Sequence, residues 1–532
     1  MRTLVATILL ITGLYTMAQS FQRIYGDGGI WSPTAFAASP DAYYLLHIDY
    51  TNDSPTELVK LDHAGDTIWA RSLPHEGRRI AYGEGSVVVT LETTEAGQHD
   101  IIVVKLDTSG NVVWANRTSF PENGLLNYNS RVHVLPDGVL TTGQKDMGLD
   151  FNTNLGITLA RYDANGELLW GKTFASPFYP INALASVMTQ DGDLIVAGTR
   201  GTSLPDLGME AAMVLMRFSS EGEPVWMRAF NDTMGSTGLC IPVDLVVTHD
   251  GNYALLAQKN DDQVVVTTFD GTGDLIWGNR LTPDAFWPRP RNLIQDSADR
   301  FVISGGGGSS GPSSIFLMRL GPDGSYLDAV TVADQGYAYA PLYATTAFGQ
   351  ELVEQEGTQG YVVSHGFNPN GQDSWHALTT IDADGMPGCA ELGTALPFIA
   401  EPVAWNEEPW PVLPTAQMSM TGEFVTIITD PIAEHVADMC PLITALPSSP
   451  SHGADLNAWT VPSGDQLFCS WTEPRTGPVS LELLDISGRV VLRENAYGPQ
   501  PFVLAVAPLA RGAFLLRVVS SEGTATRHVL LH

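Results

Sequence analysis

The chain has 532 residues, 44% of them hydrophobic and 16% charged, enough apolar surface to bury a large core and to exclude wholesale disorder. Its 52 glycines and 34 prolines follow no three-residue period, which excludes collagen and favours a turn-dense, all-β chain. Twenty-seven basic against 59 acidic residues leave a net charge of −32, a field that repels nucleic acid and anionic lipid surfaces.

In chain order, the first element is an export signal. Arg2 precedes the apolar run from Leu4 to Ile11, and small residues at Thr16, Met17 and Ala18 predict cleavage after Ala18. The run is broken by Thr12, Gly13 and Tyr15, too short for a membrane span. The mature chain is therefore expected to carry no membrane span and to reach the cell surface or medium through the periplasm.

A repeat follows. Its unit is an apolar run, often Asp, two residues, Gly, three residues and Trp: Asp62, Gly65, Trp69; Asp107, Gly110, Trp114; Asp163, Gly166, Trp170; Ser219, Gly222, Trp226; Asp270, Gly273, Trp277. Degenerate copies surround Gly324 and Gly385, so the seven glycines are 45, 56, 56, 51, 51 and 61 residues apart. Asp three residues before Gly is a hairpin turn, because the carboxylate bonds the turn's own backbone and Gly accepts a positive φ. A second hairpin recurs between copies, at Asp137-Gly138, Asp191-Gly192 and Asp250-Gly251, and more weakly near Gly85, Asp299 and Gly360. Two hairpins per unit make four strands. Seven such units predict a seven-bladed β-propeller over residues 19–440, a ring whose radial closure leaves only short edges.

The strand after each turn reads Trp-x-Arg/Lys in several copies, and residues 21–25 have the same character without a preceding turn. They are expected to give an outer strand to the last blade and clasp the ring. The repeated Trp69, Trp114, Trp170, Trp226 and Trp277 are expected to pack between blades, since aromatics at one fixed place in each unit suit burial. Trp287, Trp405 and Trp410 fall outside the repeat and are the better candidates to stack on a glycan.

Other chemistry is sparse. Gly307-Gly308-Ser309-Ser310-Gly311 matches a nucleophile pattern literally but sits in a glycine run that reads as a loop. Asp382-Ala383-Asp384-Gly385 opens like a calcium loop and lacks the later acidic ligand. The paired acids Asp261-Asp262 and Glu407-Glu408 read as solvated loop charge. No histidine or cysteine spacing suits a metal, so no metal and no cofactor are expected. Of four cysteines, Cys389 and Cys440 are the disulfide candidate, while Cys240 and Cys469 sit in apolar surroundings as buried thiols.

A linker at 441–455, containing Pro447-Ser448-Ser449-Pro450-Ser451, separates the ring from residues 456–532. There six arginines balance six acids, so the acidity belongs to the ring. Alternating apolar strands broken by Gly488 and Gly512 predict a small antiparallel β-sandwich.

Two resemblances follow from these motifs. The Asp-x-x-Gly-x-x-x-Trp units resemble secreted bacterial propellers related to quinoprotein-like and outer-membrane-assembly propellers, which implies that Trp docks neighbouring blades. Those families carry one more residue between Asp and Gly. The C-terminal segment, with Asp485, Gly488 and Arg489 in one turn, Gly512 and Phe514 in another, and Arg527 before the last apolar strand, resembles the type A C-terminal sorting domain of the Bacteroidetes type IX secretion system. It departs in Phe514, where Tyr is common, and Arg527, where Lys is common. The resemblance implies that residues 456–532 meet the secretion machinery, with the ring as cargo. Two functions then compete: a non-catalytic binding module for an extracellular polymer or protein, and a propeller hydrolase or lyase of polysaccharide. The second requires carboxylates that converge on the central channel.

Overall fold

A computed structural model describes residues 22–25, 31–49, 56–93, 100–119, 127–146, 155–175, 181, 183–202, 210–232, 240–259, 263–283, 286–308, 314–332, 351–355, 360–367, 375–382, 394–403, 405–409, 415–416, 420–432, 436–438, 456–460, 466–471, 479–484, 490–496, 502–506, 512–520 and 523–531. The export signal, Cys389, Cys440, Trp410, Ser309 and the Asp485 to Arg489 turn lie outside these residues. Two compact units are present, Met1–Ala437 and Asp438–His532. The described residues are all-β, and none forms a helix long and apolar enough to cross a membrane.

The repeat folds because its turn is self-sufficient. In the first copy one Asp62 carboxylate oxygen accepts the N–H groups of Ala64 and Asp66 at 2.9 and 2.8 Å. Asp107, Asp163 and Asp270 bond residues two and four ahead in the same way. Gly110 and Gly166 hold φ at 81° and 87°, where a Cβ is strained. Between turns the middle strands are apolar on both sides: Ser86–Thr93 is buried along its whole length. A sheet covered on both faces needs such continuous runs.

Seven antiparallel sheets result. Sheet I contains Trp31–Ser39, Ala42–Asp49, Thr56–Leu61 and Thr67–Leu73; sheet II contains Glu76–Gly83, Ser86–Thr93, Asp100–Asp107 and Val112–Ser119. Sheets III to VI begin at Asn127–Leu135, Ala185–Met188, Cys240–Val247 and Trp287–Gln295. Sheet VII joins Glu351–Gln355, Gly360–Phe367 and Trp375–Ile381 to the N-terminal strand Gln22–Tyr25, whose Tyr25 pairs with His376.

The core is not central but is divided among the seams between sheets. Leu46 and Val104 share one cluster between I and II, and Val103 and Tyr162 another between II and III. Phe174 and Phe218, then Phe230 and Phe269, then Val266 and Phe316 fill the next three seams. Leu317 with Val363 joins VI to VII, and Tyr25 with Phe36 joins VII to I. The sheets thus close in a ring. Each buried Val, Leu or Phe contributes about 1.5–3 kcal/mol, so every seam is a substantial core of its own.

The ring departs from four strands per unit. Residues 394–438, which carry no turn repeat, run back around the rim and add a fifth strand to each sheet. Thr394–Ala395 pairs with sheet VI, Phe398–Pro402 with V, Trp405–Pro409 with IV, Thr415–Ala416 with III, Thr421–Phe424 with II and Asp430–Pro431 with I. Val436–Asp438 completes VII outside Gln22–Tyr25. The N-terminal strand is therefore fourth in its sheet, with a belt strand beyond it. This belt covers edges that would otherwise present unpaired backbone groups.

The glycine run is also placed differently from the sequence expectation. Gly305 to Gly308 belong to the strand Phe301–Gly308, not to a loop. A Cβ on Gly307 would meet the Phe286 ring at 2.5 Å, so packing within the sheet demands the small residue.

In the C-terminal unit Leu456–Thr460, Gln466–Trp471 and Phe502–Ala505 form one sheet; Val479–Leu484, Val490–Ala496, Gly512–Ser520 and Gly523–Leu531 form another. Leu467, Phe502, Leu481 and Leu516 share a single core, with Phe514 packed against it. Glu482 lies directly opposite Arg493 on one side and Arg517 on the other. Both arginines bond its carboxylate. Burial works against the ionised form, but the Arg517 hydrogen bond and charge, with Arg493, hold its pKa below the usual value.

Candidate functional site

The repeated tryptophans serve the seams. Trp114 lies against the turn of sheet III, donating its indole N–H to Ala164 O at 3.0 Å, and a Cβ on Gly166 would meet its ring at 2.4 Å. Trp69 packs on Gly110, Trp170 on Gly222, Trp226 on Gly273 and Trp277 on Gly324 in the same way. The residue two beyond each Trp reinforces the contact: Asn116 donates to Gly166 O at 2.9 Å, Lys172 to Glu223 at 2.7 Å and Asn279 to Gly324 O at 2.8 Å. At the closing seam Arg23 pairs with Asp66, and Tyr25 donates to Gly65 O at 2.9 Å. In sheet VI the Trp position holds Asp328, bonded twice by Arg319 at 2.8 and 2.9 Å.

Of the aromatics outside the repeat, Trp405 sits on the belt, partly buried, with its indole N–H on Thr267 Oγ1 at 3.3 Å. It packs between sheets IV and V. Trp287 is 60% exposed. Glu407, its neighbour Glu408 aside, is tied to Arg228. Cys240 and Cys469 are both buried, and burial pushes the Cys469 thiol up to about 12. Gly512 and Arg527 lie on the last two strands of the C-terminal unit. Among the described residues no three His, Cys, Asp or Glu side chains gather as metal ligands.

Residues from all seven sheets meet in one place, the channel along the ring's axis. A cavity of about 320 Å³ is lined by the first strand of every sheet, including Phe36, Arg79, Arg131, Ser186, Asp244, Asn292 and Leu352. Several of these strands carry a β-bulge at the same level, between Pro33 and Ala35, Gly77 and Arg79, Asn129 and Arg131, Pro242 and Asp244, and Pro290 and Asn292. A bulge re-aims the side chain that follows it. In four of the five that residue is polar, and all four line the cavity.

Among the described residues Asp244 is the one carboxylate lining the channel, and three donors already bind it. Arg131 pairs with one oxygen, which also accepts the Leu245 N–H at 2.9 Å; the Leu293 N–H reaches the other at 2.9 Å. Burial raises its pKa above the usual carboxylate value, against the pull of Arg131, the two N–H groups and Arg79. His133 meets Ser186 Oγ at 2.8 Å, and burial, aided by Arg131, pushes its pKa down to about 3, so it is neutral at pH 7. Asn292 is 5% exposed, and its amide oxygen has no hydrogen-bond partner.

A second concavity, about 690 Å³, opens at the turns of sheets V and VI beside Trp277. Its acids are occupied: Asp299 bonds His249 at 2.8 Å, Asp250 bonds Asn252 at 2.8 Å and Asp323 bonds Ser325 at 2.6 Å. These carboxylates hold turns in shape, which leaves the channel as the candidate site.

Sequence reasoning missed the channel residues because they stand about 50 positions apart and share no motif. Prolines gave a usable signal. Pro33, Pro242 and Pro290 each stand two residues before a bulge-following side chain, and a proline inside an apolar strand marks a bulge or an edge.

No family model matches the chain, and no curated protein is similar to it. Among solved structures, BamB from Moraxella catarrhalis is similar at 13% identity and a TM-score of 0.36, over 65% of this chain and 83% of that one. A protein of unknown function from Dyadobacter fermentans shows 12% identity and a TM-score of 0.35, over 57% and 92%. The polysaccharide lyase Uly1 shows 10% identity and a TM-score of 0.39, over 69% and 100%. These neighbours are β-propeller proteins, at similarities too low to bear on function.

Proposed function

We propose that this chain is an exported, non-catalytic binding protein, a ring-shaped cargo carried to the cell surface or medium by a type IX sorting domain in residues 456–532. The observation that carries the binding reading is the channel chemistry. Glycoside hydrolysis uses two carboxyl groups, one free to donate a proton and one free to attack or activate water. Here the lining offers Asp244, already bound by Arg131 and two backbone N–H groups. Its partners are guanidinium and amide donors, which hold ligands rather than relay protons. The sorting assignment rests on the turn and strand motifs around Asp485, Gly488, Arg489, Gly512, Phe514 and Arg527.

Two measurements on the full chain test this. Fractionation of the native host with antibodies to the ring and to the last 77 residues should find the ring outside the cell and the tail lost or retained at the outer membrane. Both epitopes together in the periplasm would refute the sorting role. A panel of extracellular polysaccharides should show binding without new reducing or unsaturated ends. Release of such ends, abolished by Asp244→Asn, would make the chain an enzyme.

A further inference from the structure

Resting on the reading of the ring as a binder, we propose that its channel takes a small hydroxylated carboxylate, a hexuronate unit in size and chemistry, held by Arg79 and Arg131 with Asn292 receiving one of its hydroxyls. The charge balance comes first. The protein carries −32, yet among the described residues the charged side chains lining the channel are Arg79, Arg131 and Asp244, a net positive set inside an acidic body. Such a field repels a polyanion at a distance while the channel attracts one negative charge at contact.

Shape and hydrogen bonding narrow the choice. Arg131 commits one nitrogen to Asp244 among the five N–H groups of a guanidinium fork, whose geometry matches a carboxylate. The unpartnered Asn292 oxygen requires a donor, since a buried acceptor left bare is destabilising. A ligand hydroxyl supplies that donor, and a uronate brings several around a single carboxylate where phosphate brings at most two. The polar groups of the lining are unevenly placed. Sheets II, III, V and VI supply Arg79, Arg131, Asp244 and Asn292, whereas the apolar Phe36 and Leu352 of I and VII are buried in their seams. The volume, about 320 Å³, is at the lower end of ligand cavities and suits one ring rather than a threaded oligomer.

Calorimetric titration of the full chain at pH 7 tests this with D-galacturonate, D-glucuronate, the galacturonate methyl ester, D-galactose and inorganic phosphate. At least one uronate should bind at least tenfold more tightly than its neutral counterparts and than phosphate. Arg79→Gln should weaken that binding at least tenfold. The double variant Arg131→Gln/Asp244→Asn, which removes the ion pair without stranding a charge, should do the same, with a thermal midpoint near that of the parent confirming its fold. Equal affinity for the ester, tighter phosphate binding, no uronate binding, or indifference to the folded variants would overturn the assignment. Binding of a neutral polysaccharide insensitive to these variants would overturn it while leaving the binding function standing. Turnover of any glycan would instead remove the binding function itself.

Discussion

Glycines at two kinds of turn separate conformation from contact. Gly166 and Gly192 both hold φ at 87°, but a Cβ at Gly166 would press into Trp114 while one at Gly192 meets nothing within 4 Å. Gly192→Ala should therefore cost about 1 kcal/mol from backbone strain, and Gly166→Ala about 2–4 kcal/mol because overpacking adds to it. Denaturant unfolding of the two variants measures the difference. A second residue-scale effect concerns acid. His376 is fully buried at the seam of VII and I, its ring 5.7 Å from that of His47 and its Nε2 2.6 Å from Ser364 Oγ. Burial, then His47 and His365, keep its pKa well below that of a free imidazole. The unfolded chain gains this proton near pH 6.5 while the folded chain does not, so the stability it contributes is complete above that pH and lost as pH falls. Each such histidine should cost up to about 1.4 kcal/mol per pH unit below 6.5. Unfolding midpoints at pH 7.5 and 5.5 should differ accordingly, and His376→Gln should flatten the change.

At the scale of elements, the belt divides into anchors and cover. Phe398 is buried in the V and VI seam, its ring 6.0 Å from Tyr326, whose hydroxyl donates to Leu396 O at 2.6 Å. Its neighbour Ile399 is 67% exposed. Phe398→Ala should cost about 3 kcal/mol and Ile399→Ser less than about 0.5 kcal/mol by chemical denaturation. In the C-terminal unit Glu482→Ala leaves Arg493 and Arg517 facing partial solvent, so the loss should stay near 1–2 kcal/mol, read as a lower midpoint of that unit alone. The contrast between repeat and belt also explains what the sequence made legible. Asp62 bonds residues two and four ahead, so its turn is written locally and repeats in recognisable form. The belt strands are two to five residues long, with no turn of their own, and Thr421–Phe424 is exposed throughout. Their pairing is decided by edges more than 60 residues away in sequence, which no local pattern carries. The channel was hidden for a related reason: each sheet contributes one to three residues, and the polar ones at Arg79, Arg131, Asp244 and Asn292 are placed by bulges that no repeat announces.

For the whole molecule, closure is the property most open to test. Gln22–Tyr25 stands between Trp375–Ile381 and Val436–Asp438, and its Arg23 and Tyr25 reach the turn of sheet I. Removing residues 21–25 deletes one strand and severs both neighbours. The expected result is a larger radius of gyration by small-angle scattering and a broadened unfolding transition for the ring; an unchanged radius would mean that the belt closes the ring unaided. The order in which the belt is laid sets a further rule for assembly. It visits VI, V, IV, III, II and I before VII, so the sheet made first is among the last to be finished. Sheet I has its fourth strand by Leu73 and waits for Asp430–Pro431. A nascent chain therefore carries a growing series of open edges, each a template for mispairing, until almost the entire ring has emerged. Maturation is governed by the last stretch of the ring: a stop between Ile381 and Thr394 leaves all seven sheets without their belt strand, and an earlier stop leaves fewer sheets, every one unfinished.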